Sequence, residues 1–205
     1  MKKLNFFHPL ILIFCFNQTA MAAGKIVEGQ DYIVLAHQGK TDYPSKIEVR
    51  EFFSYGCSHC FALEKQLQPW LKKGLPKHVY FIRTPAAMNP TWEQSARGYY
   101  TAESLGIRQK THIALFNEIQ LQHKPLFDQK SLAKFYVQYG ANLNQFNQLF
   151  NSPAISKKIE QSNQLAKLYQ LTGVPSIVIN GKYLIQGSKV NTTEIMDYLI
   201  EKERQ

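Results

Sequence analysis

The sequence has only three cysteines, Cys15, Cys57 and Cys60, and no His-x(3–5)-His pair follows them. A structural zinc site takes four ligands, usually as two pairs of comparable spacing, so Cys57-Ser58-His59-Cys60 has no second half and a metal site is disfavoured. Long apolar runs are also missing. The one apolar stretch, Phe6 to Phe16, is interrupted by His8 and Pro9, and nothing later approaches the roughly twenty apolar residues of a membrane span. Acidic residues are few, 15 against 24 Lys and Arg, which leaves a formal net charge of +9. That excess is dispersed: Lys72-Lys73 and Lys157-Lys158 are only pairs, and no basic stripe carries interleaved aromatics, which argues against nucleic-acid binding. Attraction to an anionic membrane surface or to acidic client chains is as much as the charge supports.

The first residues have the pattern of a secretory signal peptide. Lys2 and Lys3 precede the apolar stretch, and Ala20-Met21-Ala22 is a small-x-small cleavage site, so residues 1–22 are expected to be removed and the mature chain to begin near Ala23. Removal takes away two lysines and no acid, lowering the formal charge from +9 to +7. The bulky Leu12-Ile13-Phe14 before Cys15 does not suit a lipid-anchored cysteine. The mature protein, of about 180 residues, is expected to be a soluble single domain, or one domain with an insertion, in a compartment where disulfides persist.

The remaining two cysteines are placed for redox work. Residues Ile47 to Phe53 alternate as a strand, with Ile47, Val49, Glu51 and Phe53 on one face and Glu48, Arg50 and Phe52 on the other. The turn Ser54-Tyr55-Gly56 follows, and then Cys60, Leu63, Leu67, Trp70 and Leu71 recur at helical spacing. A helix therefore starts near Cys57, where unpaired backbone N–H groups and the helix dipole favour an anion. His59, when protonated, adds a positive charge beside that sulfur. Cys57 reads as the acidic thiol, at once the nucleophile and the good leaving group. Cys60, turned to the apolar face, reads as the resolving thiol that closes or opens the ring after a mixed disulfide forms.

The rest of the chain divides by periodicity. Val79 to Arg83 reads as a second strand, ended by Thr84-Pro85, and five helical segments follow. Thr91 is the expected cap of a helix through Leu105, ended by Gly106; Arg108 to Leu121 is the next. Asp128 caps one that ends at Gly140, Asn142 one that ends near Asn151, and Ser152-Pro153 opens one that runs to about Leu171. After Gly173, two short apolar runs joined by Asn180-Gly181 predict an antiparallel hairpin. A last helix, capped by Asn191 or Thr192, is expected over Thr193 to Lys202. Strands at both ends with helices between them predict an α/β sheet interrupted by a helical insertion, with the sheet contributed by residues 23–86 and 172–205 and the insertion by 87–171.

Glu51-Phe52-Phe53-Ser54 before Cys57-Ser58-His59-Cys60, the tract from Thr84-Pro85 through Trp92 to Tyr99-Tyr100 and Leu105-Gly106, and Gly173-Val174-Pro175-Ser176 together resemble a DsbA-type periplasmic thiol:disulfide oxidoreductase of the thioredoxin superfamily. The resemblance covers essentially the whole mature chain. It implies a thioredoxin fold with an inserted all-helical domain and Pro175 in cis, facing the Cys57–Cys60 disulfide. It implies that Val174 lines the substrate groove and pairs backbone groups with an extended client peptide. It also implies that Glu51 is a buried acid that relays a proton to or from Cys60. A periplasmic monomer acting on reduced exported proteins, reoxidised by a DsbB-like quinone-linked membrane partner and using no cofactor, completes the picture. One departure stands out: the family's best-studied members have proline after the first cysteine, where this chain has Ser58, which keeps a backbone N–H and adds a hydroxyl next to Cys57.

Plainer readings exist for several of these residues. His59 alone could be an ordinary surface histidine, and Glu51 a charged residue at a strand end; Glu64, two turns after Cys57 on the same side, is a weaker candidate for the same buried-acid role and reads more readily as part of a solvated helix face. Tyr55, Phe61, Trp92 and Met88 could line an apolar surface at the active site, yet aromatics of this kind are mostly core. At the level of function, a disulfide isomerase or reductase would use the same motif but must be kept reduced, and about twenty residues before the first long strand leave little room for a dimerisation domain. A peptide-binding chaperone would use the groove and not the thiols.

Overall fold

In the computed structural model, described for residues 25–205, there are five strands and seven helices; four of the strands and the seven helices follow the predicted order, and the short first strand was not anticipated. The elements are β1 (Ile33–Val34), β2 (Ile47–Phe53), α1 (Ser58–Lys72), β3 (Val79–Pro85), α2 (Pro90–Ser104), α3 (Arg108–Gln120), α4 (Gln129–Val137), α5 (Leu143–Phe150), α6 (Pro153–Leu168), β4 (Ser176–Ile179), β5 (Tyr183–Gln186) and α7 (Thr192–Arg204). The sheet order is β1-β5-β4-β2-β3, with β2 parallel to β3 and antiparallel to β4. The signal-peptide residues 1–22, Cys15 among them, lie outside the described residues.

β2 is the centre of the sheet and is covered on both sides. Val49 joins a core with Leu63, Leu67 and Trp70 of α1 and Ile195, Met196 and Leu199 of α7, while Phe52 packs on the other face with Ala166 and Tyr169 at the end of α6. The polar face read from its alternation is therefore buried too: Glu48 and Arg50 are sequestered because Arg50 donates to Glu48, Asp42 and Thr84. Two buried charges at this spacing are tolerable only because each finds a partner.

The insertion packs on itself and onto the end of β2. Phe53, Tyr55 and Cys60 belong to the same apolar cluster as Tyr99 and Tyr100 of α2, Leu115 and Phe116 of α3, and Phe146 and Phe150 of α5. The turn carrying the cysteines thus lies at the seam between sheet and helices.

Local signals set the boundaries. Asp128, Asn142 and Ser152 cap their helices through side-chain oxygens, as expected, and Asp128 forms a full capping box with Ser131. The cap of α2 is Asn89 and not Thr91: its Oδ1 accepts from the Trp92 N–H at 2.9 Å, and Pro90 takes the first helical position, where no N–H is needed. α6 stops at Leu168, short of Leu171, because Gln170 adopts a left-handed φ of 51° and lets the Leu171 N–H return to the Ala166 carbonyl. In the β4–β5 turn, Asn180 and Gly181 have φ of 51° and 65°, and a Cβ at Gly181 would lie 2.4 Å from the Gly39 carbonyl oxygen, so only glycine fits. The final helix begins at Thr192 with Asn191 before it, though Asn191 makes no side-chain capping bond.

Candidate active site

Cys57 is the residue that starts α1. Its backbone is extended (φ −99°, ψ 114°), and its sulfur accepts from the Cys60 N–H at 3.4 Å in the place a serine or asparagine cap usually fills. Upstream, the Cys57 N–H bonds the Ser54 carbonyl at 3.1 Å and the Gly56 N–H bonds the Ser54 hydroxyl at 3.2 Å, which folds the turn tightly. Cys57 is half-buried, Cys60 is buried, and both thiols are free.

The two sulfurs are held at opposite ends of the acidity scale. The Cys57 thiol is lowered to about 6, chiefly by the hydrogen bond from the Cys60 thiol, against the opposing effect of partial burial; the Cys60 and His59 N–H groups and the charge of His59 add to it. Burial first, then donation to Cys57, pushes the Cys60 thiol far up. His59 is exposed on the first turn of α1, and its charge is the last of these contributions, smaller than the weight the sequence suggested for it.

Across the seam, the Val174–Pro175 bond is cis and the Cys57 sulfur donates to the Val174 carbonyl at 3.3 Å. Val174 stands just before β4, whose Ser176 lies opposite Phe52 of β2. Sheet register thus brings residues 117 apart in the sequence into contact at the nucleophile.

Beneath Cys60 lies a charged cluster. Glu51 is fully buried, and neither of its carboxylate oxygens accepts a hydrogen bond. Arg83, opposite Glu51 in the parallel β2–β3 register, brings Nε within 2.8 Å of Oε2, but that N–H is aimed at Glu64, so the contact with Glu51 is one of charge without an aligned bond. Burial accordingly pushes the Glu51 carboxyl up to about 8, more than Arg83 can offset.

Glu64 corrects the solvated-face reading. It sits one turn after Cys60 on the same side of α1, is buried, and accepts from Arg83, from Gln68 at 2.6 Å and from His112 Nε2 at 2.9 Å. Burial opposes its charge, yet the His112 bond and the Arg83 charge hold it down at about 2. Burial lowers His112 to about 4, so at neutral pH the uncharged ring donates through Nε2 to Glu64 and accepts at Nδ1 from the Tyr55 hydroxyl, 2.9 Å away. One arginine thus faces two carboxyls: Glu64, saturated with donors, carries the charge, and Glu51, without them, carries the proton. Arg83 and His112 were not singled out from the sequence; a lone Arg within a strand segment was the available sign for the first, and no local pattern marks the second.

The apolar residues around the turn divide unevenly. Tyr55 is core, as expected, but Phe61 and Trp92 are only partly buried and Met88 is 41% exposed. Trp92 and Phe127 flank Gly56 closely enough that a Cβ there would meet them at 3.1 and 3.4 Å. The partly buried apolar rim at the Cys57 turn is therefore Phe61, Trp92 and Phe127.

Residues 77–194 match the family described as DSBA-like thioredoxin domain. The chain is 38% identical to the thiol:disulfide interchange protein DsbA of Pseudomonas syringae pv. tomato, over all of this chain and 97% of that protein, and 39% identical to the DsbA of Pseudomonas aeruginosa, over all of this chain and 98% of that one. Among solved structures, the P. aeruginosa DsbA superposes with a TM-score of 0.81 at 38% identity, covering 87% of this chain and 95% of that one. The oxidoreductase DsbA of Xylella fastidiosa does so with a TM-score of 0.81 at 32% identity, covering 88% and 98%. A thioredoxin fold interrupted by helices, with a Cys-x-x-Cys pair at the start of its first long helix, is the scaffold of a thiol:disulfide oxidoreductase. The chain belongs to the DsbA family.

Proposed function

We propose that this oxidoreductase works as a dithiol oxidase whose disulfide, Cys57–Cys60, is handed to reduced exported proteins. The observation that carries the direction is the division of acidity between the sulfurs: a Cys57 lowered to about 6 is a stable leaving group, so the disulfide is readily given away. A client thiolate attacks the Cys57 sulfur, the Cys57–Cys60 bond breaks, and Cys60 departs. The client's second thiol then displaces Cys57. Two electrons and two protons have moved from client to enzyme, and the client holds the disulfide.

Each remaining residue has a place in that sequence. Cys60 leaves as a strongly basic thiolate, and Glu51, protonated at neutral pH, is the acid that supplies its proton and takes it back on reoxidation. His59 adds to the stability of the Cys57 thiolate. Val174 and Pro175 line the client groove: the Val174 carbonyl, within 3.3 Å of the nucleophile, is where an extended client strand docks its backbone. Residues 23–86 and 172–205 form the catalytic unit, and residues 87–171 the helical unit that supplies Trp92 and Phe127 to its rim.

The compartment is the periplasm, on the strength of the charged start, apolar stretch and Ala20-Met21-Ala22 site, and among the described residues no helix is long and apolar enough to cross a membrane. All site residues come from a single chain, which suits a monomer. A DsbB-like quinone-linked membrane partner serves as the electron acceptor that restores the disulfide. The test is a reduced model client incubated with oxidised enzyme. Cys60→Ser, first loaded on Cys57 as the mixed disulfide with thionitrobenzoate, is expected to hold a single-cysteine client as a stable mixed disulfide on Cys57 as thionitrobenzoate leaves, and Cys57→Ser to abolish client oxidation. Client oxidation surviving in Cys57→Ser, or a mixed disulfide trapped on Cys60, would contradict the assignment.

A further inference from the structure

His112 belongs to the inserted helices, yet both of its ring nitrogens are spent on the catalytic unit. Nδ1 accepts from the hydroxyl of Tyr55, two residues before the nucleophile, and Nε2 donates to Glu64, on the helix that begins at the nucleophile. One helical turn pair further on, Gln120 of the same α3 donates to the Tyr55 carbonyl at 2.7 Å. Helix α3 therefore grips the active-site turn twice and α1 once.

Packing does not account for an imidazole here. The ring is 5% exposed and lies edge-on to Phe53, Tyr99 and Phe116, with centroids 5.1, 6.1 and 5.2 Å away, a setting whose shape phenylalanine would also fill, but only by leaving the buried Tyr55 hydroxyl and Glu64 each short of a partner. What the imidazole adds is two directed hydrogen bonds pointing to opposite sides of the Cys57 turn. We propose that His112 is a positioning residue for thiol–disulfide exchange: it ties Tyr55 and Glu64 into one clamp that holds the Cys57 turn in register with the first N–H groups of α1. The Cys60 N–H meets the Cys57 sulfur at 3.4 Å, a normal N–H···S distance, and a displacement of the turn lengthens it and weakens one of the contacts that favour the thiolate. The proposal rests on Cys57 being the acidic nucleophile.

The experiment compares His112→Phe, which keeps the packing and removes both bonds, with His112→Gln, which retains a donor and an acceptor. The readouts are the thiolate absorbance titration of the reduced protein, the equilibrium with glutathione, and the melting temperature of each redox form. His112→Phe is expected to raise the Cys57 midpoint by about one pH unit and to shift the glutathione equilibrium at pH 7 about fivefold toward the enzyme disulfide. His112→Gln is expected to recover most of that shift, and Tyr55→Phe, which deletes one bond of the clamp, to move both readouts in the same direction by less. A purely structural role would lower both melting temperatures equally and leave the midpoint and the equilibrium at wild-type values; that result in His112→Phe, or in Tyr55→Phe should His112→Phe not fold, would overturn the clamp. A wild-type Cys57 that titrates like a free cysteine would instead overturn the nucleophile assignment, so the two failures are distinguishable.

Discussion

The acidity of Cys57 comes mostly from its neighbour in the motif. The Cys60 thiol donates to the Cys57 sulfur and is the largest cause of its lowered value, with the charge of exposed His59 the smallest of those named. Cys60→Ala should therefore raise the Cys57 midpoint more than His59→Ala does, and Cys60→Ser, which restores a hydroxyl donor, should fall between Cys60→Ala and wild type; thiolate absorbance against pH orders the three. Glu51, pushed up to about 8, is the second residue to test. It is protonated at pH 7 and loses its proton across the range around 8, so the step that reprotonates Cys60 should slow as pH rises through that range. Glu51→Gln, which cannot give up a proton, should be slow throughout and lack that dependence in stopped-flow fluorescence. Both cysteines were legible because a strand, a turn and a helix start are local patterns, whereas the alternation of β2 gave Glu51 only its face and the family resemblance its burial. Glu64 was misread because burial from the far side is supplied by Arg83 of β3 and His112 of α3, neither of which its own helix reveals.

At the scale of elements, capping chemistry was the most readable feature and chain reversals the least. Asp128, Asn142 and Ser152 each accept from the N–H three residues on, as their sequence positions imply. Asp128→Ala should cost about 1 kcal/mol in denaturant unfolding by removing one side of the capping box. Thr91 misled because a proline directly after asparagine moves the helix start back to Pro90. The end of α6 could not be read because Gln170, a residue that rarely adopts left-handed backbone, takes the place usually given to glycine. Pro69 lies within α1 without ending it, since it and Lys65, whose carbonyl it leaves unpaired, are both on the exposed face, where water can serve that carbonyl. β1, two residues at the sheet edge, is too short to leave a period.

Across the whole molecule, the lowered Cys57 value links redox state to stability. A thiol whose folded value lies below its unfolded one stabilises the fold fully above the unfolded value, about 8.5, and loses that contribution as pH falls through about 6. Only the reduced form has this thiol. With allowance for solvent screening at a half-buried site, the contribution is on the order of 1 kcal/mol at pH 7. Melts of the two forms between pH 5 and 8 should show the gap moving in favour of the reduced protein as pH rises; a gap independent of pH would contradict the thiolate. The most direct measurement is equilibration in glutathione buffers at pH 7, beside an unfolded peptide spanning Ser54 to Phe61. A dithiol oxidase built on a stabilised Cys57 thiolate will be largely reduced at glutathione ratios that still leave the peptide oxidised. A folded protein that keeps its Cys57–Cys60 disulfide as firmly as the peptide does, or more firmly, would contradict it.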